Sequence, residues 1–442
     1  MLPSGLNRVR PTSALVALLL TAAACSSATG LEATGSDTDG TPPSAVSAEV
    51  GADQEVFRPY ENQDPFDLSG GAPVGDDTAL SPSSVEDLSD FVRSVVGIWD
   101  TDWNRATVDL GEVAAGIQRI DPRDAIPPID EPAFESVAAG AEWLSADEPG
   151  ALVQLDDEVR FYPLSIMTRH EIVNDRFGDI PVAVTFCPLC NTALAFDRRV
   201  DSEVLRFGVS GLLRKSDLVM WDDKTTSLWQ QITGEAIVGR YAGTQLNRLD
   251  TSIVSFGQFA ESFPDGRVLS RDTGFEIGYG ANPYVGYSSG SRPFAAFFPD
   301  EPDSRFPALE RVVSVSVGET ERAYPFSILY GELVINDIAN GQPIVVWWAP
   351  GTTDALDARS IADSQAIGTG LALGREVDGR ELTFTANGDG TFMDNETLSL
   401  WNLFGKATAG ELEGSQLPAI PHRNEFWFAW AGFFPDGEVY QP

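Results

Sequence analysis

The chain has 442 residues, 43% of them hydrophobic, enough to fill the core of one large or two ordinary domains. A formal net charge of −37, from 66 Asp and Glu against 29 Lys and Arg, excludes a nucleic-acid partner, because phosphate binding needs clustered basic residues. Three cysteines in that length exclude a disulfide framework as the main source of stability, and the surplus acid reads as solubility.

Arg8 and Arg10 precede a run of small apolar residues over 13–23, closed by Ala22-Ala23-Ala24-Cys25, which is the pattern of a secretion signal. Such a run is too short for a bilayer core that needs about 20 residues. Residues 1–25 are expected to be a lipoprotein signal peptide with Cys25 as the lipidation point, so the protein is exported and faces outward from the cell membrane. The N-terminal lipid is its expected membrane contact; no protein partner is specified. Residues 26–90 are rich in Gly, Ser, Thr, Pro, Asp and Glu without apolar periodicity and predict a flexible acidic tether, with a short helix near Ser84. Trp99, Trp103, Val108 and Leu110 mark a lead-in segment, 91–152, that packs on the core.

The remainder repeats. Residues 160–188 align without gaps to 322–350 with ten identities in 29 positions, including Tyr162/Tyr324, Pro163/Pro325, Asn174/Asn336 and Asp175/Asp337. Residues 234–268 align to 405–439 with 12 identities in 35, including Phe263-Pro264-Asp265-Gly266 against Phe434-Pro435-Asp436-Gly437. The fold class is therefore α+β, mainly β: two tandem pseudo-repeats, 153–310 and 311–442, packed together, each a set of antiparallel strands with a few short helices. Within the first copy, 153–161 predicts a hairpin turning at Asp156-Asp157, 164–177 a helix stopped by Gly178, and 256–263 a short helix. Strands are expected over 182–186, 192–196, 204–209, 218–221 and 227–232. Asn174 and Asp175 read as helix-end caps. The connection 271–310 is rich in Tyr and Gly rather than charge, which suits a segment packed between the copies.

A duplication supplies an internal comparison, and the differences fall on rare reactive residues. His170 aligns with Glu332, Glu171 with Leu333, Cys187 with Ala349 and Cys190 with Thr352, while the second copy carries about fifteen further residues after Pro350. Cys187-Pro188-Leu189-Cys190 suits three chemistries. It is a redox dithiol; or a thiolate knuckle that binds zinc or copper through Cys187, Cys190 and His170; or, in an alternative enzymatic reading, Cys187 is a nucleophile with His170 as base and Glu171 or Asp217 orienting the imidazole. A thioredoxin-type motif opens a helix, whereas 192–196 reads as a strand. Arg214, Lys215 and Asp217, in a segment without counterpart, and Gln230 and Gln231, which face Asn402 and Leu403, are candidates for holding a substrate. The plainest alternative is a non-catalytic binding or scaffold lipoprotein with a disulfide bracing the loop. His422 has no neighbouring ligands in sequence and is treated as incidental.

The motifs Tyr162-Pro163, His170-Glu171-Ile172-Val173-Asn174-Asp175, Thr185-Phe186-Cys187-Pro188-Leu189-Cys190, Ser210-Gly211-Leu212-Leu213 and Leu228-Trp229-Gln230-Gln231 resemble the bacterial and archaeal family catalogued as domain of unknown function thirty-one seventy-nine. The run from Asp121 to Pro127 and Asn282-Pro283-Tyr284 fit the same pattern. The resemblance implies an exported or lipid-anchored protein and transfers no activity. Some members carry Thr at the position of Cys190, which implies that Cys187 can act alone or with His170.

Overall fold

Asp156, at a positive φ of 52°, turns the chain between Pro149–Leu155 and Glu158–Pro163, which pair antiparallel as the alternating pattern predicts. The computed structural model describes residues 66, 68–76 and 80–442, so Cys25, the expected signal peptide and most of the expected tether lie outside it. Pro163 caps the helix Leu164–His170, which is shorter than the sequence pattern predicts. Glu171 takes a left-handed conformation at φ 59° and its N–H closes on Met167 O, ending the helix there. Ile172–Phe177 is instead a strand, paired with Ile180–Cys187, which pairs in turn with Thr192–Asp197. The apolar spacing of 172–177 fits either period, and the β-branched Ile172 and Val173 settle into the sheet. Asn174 and Asp175 are therefore strand residues, not caps.

A second meander follows: Phe207–Arg214, Asp217–Asp222, Leu228–Gln230 and Ala236–Val238, edged by the lead-in strand Val113–Ala115. Thr251–Ser255 returns to pair with Pro149–Leu155, the helix Phe256–Ser262 crosses, and Arg267–Leu269 lies parallel to Glu158–Pro163. The second half runs through the same order. Arg311–Val317 and Thr320–Pro325 form a hairpin, Phe326–Glu332 a helix ended by Leu333 at φ 60°, and Val334–Ala339, Gln342–Ala349 and Thr369–Gly374 a meander. His422–Phe426 then pairs with Arg311–Val317, and Glu438–Val439 lies parallel to Thr320–Pro325.

Matched residues make matched bonds. Tyr162 donates to Asp175 and Tyr324 to Asp337; Asn174 brackets the backbone of Phe207 and Asn336 that of Phe384; Trp229 donates to Asp222 and Trp401 to Asp394. One cluster of buried apolar side chains takes Phe186, Leu194 and Trp229 together with Phe426, Trp427 and Trp430, so the second half seals one side of the first. Phe426 N–H donates to Cys190 O at 2.9 Å. Ala72, expected within the tether, is fully buried and bonded to the backbone of Arg199 and Asp201, so this part of the tether docks on the first half. Among the described residues no helix is long and apolar enough to cross a membrane.

The two Tyr–Asp–Arg clusters differ in depth. Arg160 and Asp175 lie 2.7 Å apart with side chains 14% and 5% exposed, against 19% and 21% for Arg322 and Asp337. Removing Asp175 leaves the buried Tyr162 hydroxyl without its acceptor and the mostly buried Arg160 with only the half-exposed Glu158. Asp175→Ala is expected to cost about 3–5 kcal/mol in urea unfolding, and Asp337→Ala clearly less.

Candidate functional site

Cys187 ends one strand opposite Thr192 on the next, and Pro188, Leu189, Cys190 and Asn191 make the turn between them. Asn191, at φ 55°, supplies the left-handed residue that closes the turn, a conformation asparagine tolerates better than most side chains. This tight geometry puts both sulfurs on one side. The Cys187 thiol points to Ser216 O at 3.8 Å. Both cysteines are free and buried.

The third member arrives from another sheet. Lys215 and Ser216, at φ 49° and 64°, form the turn that leads into the strand Asp217–Asp222. Asp217 Oδ2 accepts from Gln230 Nε2 at 2.6 Å and from Ile232 N–H at 2.9 Å. Its Oδ1 has no hydrogen-bond partner, and the carboxyl lies beside both thiols. The ligand atoms of Cys187, Cys190 and Asp217 lie within 4.8 Å of one another, close enough for small rotations to bring them onto one ion, since zinc takes sulfur at about 2.3 Å and carboxylate oxygen at about 2.0–2.2 Å.

Burial dominates the electrostatics. It pushes the Asp217 carboxyl up to about 7 and the Glu171 carboxyl up to about 8, and raises both thiols. Glu171 Oε1 accepts from Tyr284 OH at 3.2 Å, which favours its charged form, while the nearby Asp217 charge opposes it. Arg214 and Lys215, which the sequence nominates as substrate holders, turn away from the thiols. They lie 2.6 and 3.9 Å from Glu112, and Lys215 Nζ also donates to Gly432 O. Gln230 fixes Asp217, whereas Gln231 Nε2 bonds Thr185 Oγ1 and Thr192 O and so supports the cysteine hairpin from behind.

His170 is not in the metal-ligand cluster that its rarity suggests. Its Nδ1 lies 2.6 Å from Pro127 O and its Nε2 2.7 Å from Tyr279 OH. A carbonyl accepts only, so Nδ1 carries the proton and Nε2 accepts from the tyrosine, leaving neither nitrogen to take a proton from Cys187. Burial also pushes its pKa down, which keeps it neutral. The place expected for His170 is taken by Asp217, whose role as a partner of the thiols the sequence did not indicate. His422 is likewise an internal histidine, against Ile420 O and Ser252 Oγ. Nothing in the sequence marks Ser216 as a neighbour of the thiols, and Tyr284 stands out there only within the family motif Asn282-Pro283-Tyr284.

Residues 123–437 match a family of proteins of unknown function, DUF3179. The chain belongs to that family. No curated protein and no solved structure matches the chain. What this DUF3179 member carries is thus read from its own geometry: a buried Cys-Cys-Asp cluster, with Glu171 beside it and the second half against its back.

In metal-free protein the folded pKa of Glu171 lies above its ordinary value of 4.5, so the native state binds that proton more tightly than the unfolded chain. The associated stability is complete below about 4.5 and is lost as pH rises toward about 8. Glu171→Gln keeps the acceptor for Tyr284 without that loss. Its stability relative to the parent is expected to rise between pH 5 and pH 8, read as a growing difference in urea midpoint; an equal difference at both pH values counts against the buried carboxyl.

Proposed function

We propose that this is an exported metal-binding protein whose first half holds a zinc-class divalent cation on Cys187, Cys190 and Asp217. The observation that carries the reading is the convergence of two free thiols and an unpartnered carboxylate oxygen in a buried site. Three acids sealed from water are costly to ionise singly, and a divalent cation offsets two of their three negative charges. The tight Cys-Pro-x-Cys hairpin, with both sulfurs within reach of one ion, is the arrangement of a thiolate knuckle. Two soft sulfurs with one hard oxygen suit zinc better than copper(I), which prefers thiolates alone. Three protein ligands leave a fourth position for water or a bound group. The outward location rests on the N-terminal signal pattern.

A second reading is a redox dithiol, which the proximity of two free cysteines favours. Burial weighs against it, because exchange requires a partner thiol to reach a sulfur, and Cys187 and Cys190 are 1% and 0% exposed.

Elemental analysis of the purified protein separates the two. The expected result is one zinc-class ion per chain with both thiols protected from labelling. Cys187→Ser and Asp217→Asn are each expected to lose at least tenfold in metal affinity, and stripping the metal to lower the melting temperature by several degrees, since a ligand at a thousand times its dissociation constant stabilises by about 4 kcal/mol. If no ion co-purifies, none is taken up from added zinc, and the thiols oxidise reversibly to a disulfide, the dithiol reading replaces this one.

A further inference from the structure

Residues 271–310 contain neither helix nor strand, although they lie between strands of one compact unit. So long an irregular segment in a packed domain is uncommon and generally functional. Several of its contacts fall on the site or on the helix end beside it. Tyr279 OH bonds His170 Nε2, Arg169 Nη2 donates to Ala281 O at 2.9 Å, and Tyr284 OH donates to Glu171. Tyr287 OH donates at 2.9 Å to the carbonyl of Leu189, between the two thiols, and Phe297 O accepts at 2.9 Å from the N–H of Ser216, next to Asp217.

The other side of the segment is tied to the residues that the second copy carries after Pro350. Asn282 N–H donates to Arg359 O at 2.9 Å, Gly286 N–H to Asp357 O at 2.7 Å, and Ser288 Oγ to Asp354 Oδ2 at 2.6 Å. Features found in one copy alone thus meet here: His170 and Glu171 from the first half hold the segment from below, and the additional residues of the second hold it from above.

We propose that residues 271–310 are a cover over the Cys187–Cys190–Asp217 site, and that its local opening limits access to the two thiols. The other walls are less able to move. They are the paired strands Ile180–Cys187, Thr192–Asp197 and Asp217–Asp222, and the strand ending at Phe426, all within sheets. Its buried anchors, Tyr287, Phe298, Ala308 and Leu309, are spread along forty residues without a paired strand to join them, and Phe275, Val285 and Phe294 are 41%, 51% and 38% exposed. Gly274 and Gly280 sit at φ 80° and 92° with open space where a Cβ would be, so backbone conformation rather than packing calls for glycine at both. Irregular segments held by scattered anchors rather than by strand pairing open at lower free energy than sheet cores.

The inference deepens the metal reading by naming what controls access, and it rests on that reading for its purpose but not for its test. The full chain is stripped of metal and reduced, and the rate at which Ellman's reagent labels Cys187 and Cys190 is followed from zero urea to well below the unfolding transition. Local opening predicts a urea slope in that range well below that of global unfolding, because only the surface under the cover is exposed. Tyr284→Phe combined with Ser288→Ala removes one tie on each side and is expected to speed labelling about tenfold, given the net worth of two hydrogen bonds. Asp394→Asn, which loosens the second half away from the cover, is expected to leave the rate unchanged below its own unfolding transition. The proposal is overturned if labelling rises with urea along the slope of global unfolding, if Asp394→Asn accelerates it equally, or if the double variant folds and labels no faster. If the double variant does not fold, the urea dependence of the parent decides. A protein that takes up no metal yet shows gated labelling refutes the metal reading and leaves the cover standing.

Discussion

An acid sealed from water must be hydrogen-bonded, paired with a cation or kept protonated, and the organisation of this protein follows from how that constraint is met at each buried acid. Asp175 is met by Arg160 and Tyr162, Asp354 by Arg311 and Ser288, Glu425 by Arg423 and Ser314, and Asp222 by the indole of Trp229 and backbone N–H groups. At Cys187, Cys190 and Asp217 the answer is incomplete. One oxygen of Asp217 is held by two donors, the other has no partner, two thiols that are themselves acids lie beside the carboxyl, and the cations nearest in sequence are paired with Glu112. The cluster is neutral if it keeps its protons. Loss of those protons to a bound cation is the alternative that the donor set suits.

The two halves illuminate each other because they share the scaffold and not the site. The left-handed residue that ends the short helix is Glu171 in one half and Leu333 in the other, so the backbone reversal belongs to the architecture and the carboxyl is an addition to it. At the turn after the second meander strand, Thr352 stands where Cys190 stands, and bonds Thr369 Oγ1 and Gln258. A hydroxyl pair satisfies itself in that position; a thiol pair beside a carboxylate does not. The second half nonetheless contributes to the first, through the strand that donates to Cys190 O and through the residues that hold the 271–310 segment.

Much of this was legible in the chain. Alternating residues around Asp156 specified a hairpin, 192–196 specified a strand rather than a thioredoxin-type helix, and the motifs pointed to the right family. Where the sequence misleads, the reason is physical. The run 172–177 fits a helical as well as a strand period, and a glutamate in the left-handed region gives no sequence signal of the kind glycine gives, so the pattern alone overextends the helix. His170 was grouped with the thiols because both residue types are rare, but rarity carries no distance. Its ring is consumed by Pro127 O and Tyr279 OH, partners 43 and 109 residues away.

By itself, then, the sequence determined what is local: the turn that sets Cys187 and Cys190 on one side, the strands on either side of it, and the recurrence of one pattern of elements. Periodicity and turn chemistry act over a few residues and are written in those residues. Only the tertiary structure decided that Asp217 joins the thiols, that Arg214 and Lys215 do not, and that a strand from the second half and an irregular segment enclose them. Those outcomes depend on sheet register and on which faces pack together, and a side chain's neighbours across sheets are set by the whole core rather than by its neighbours in the chain.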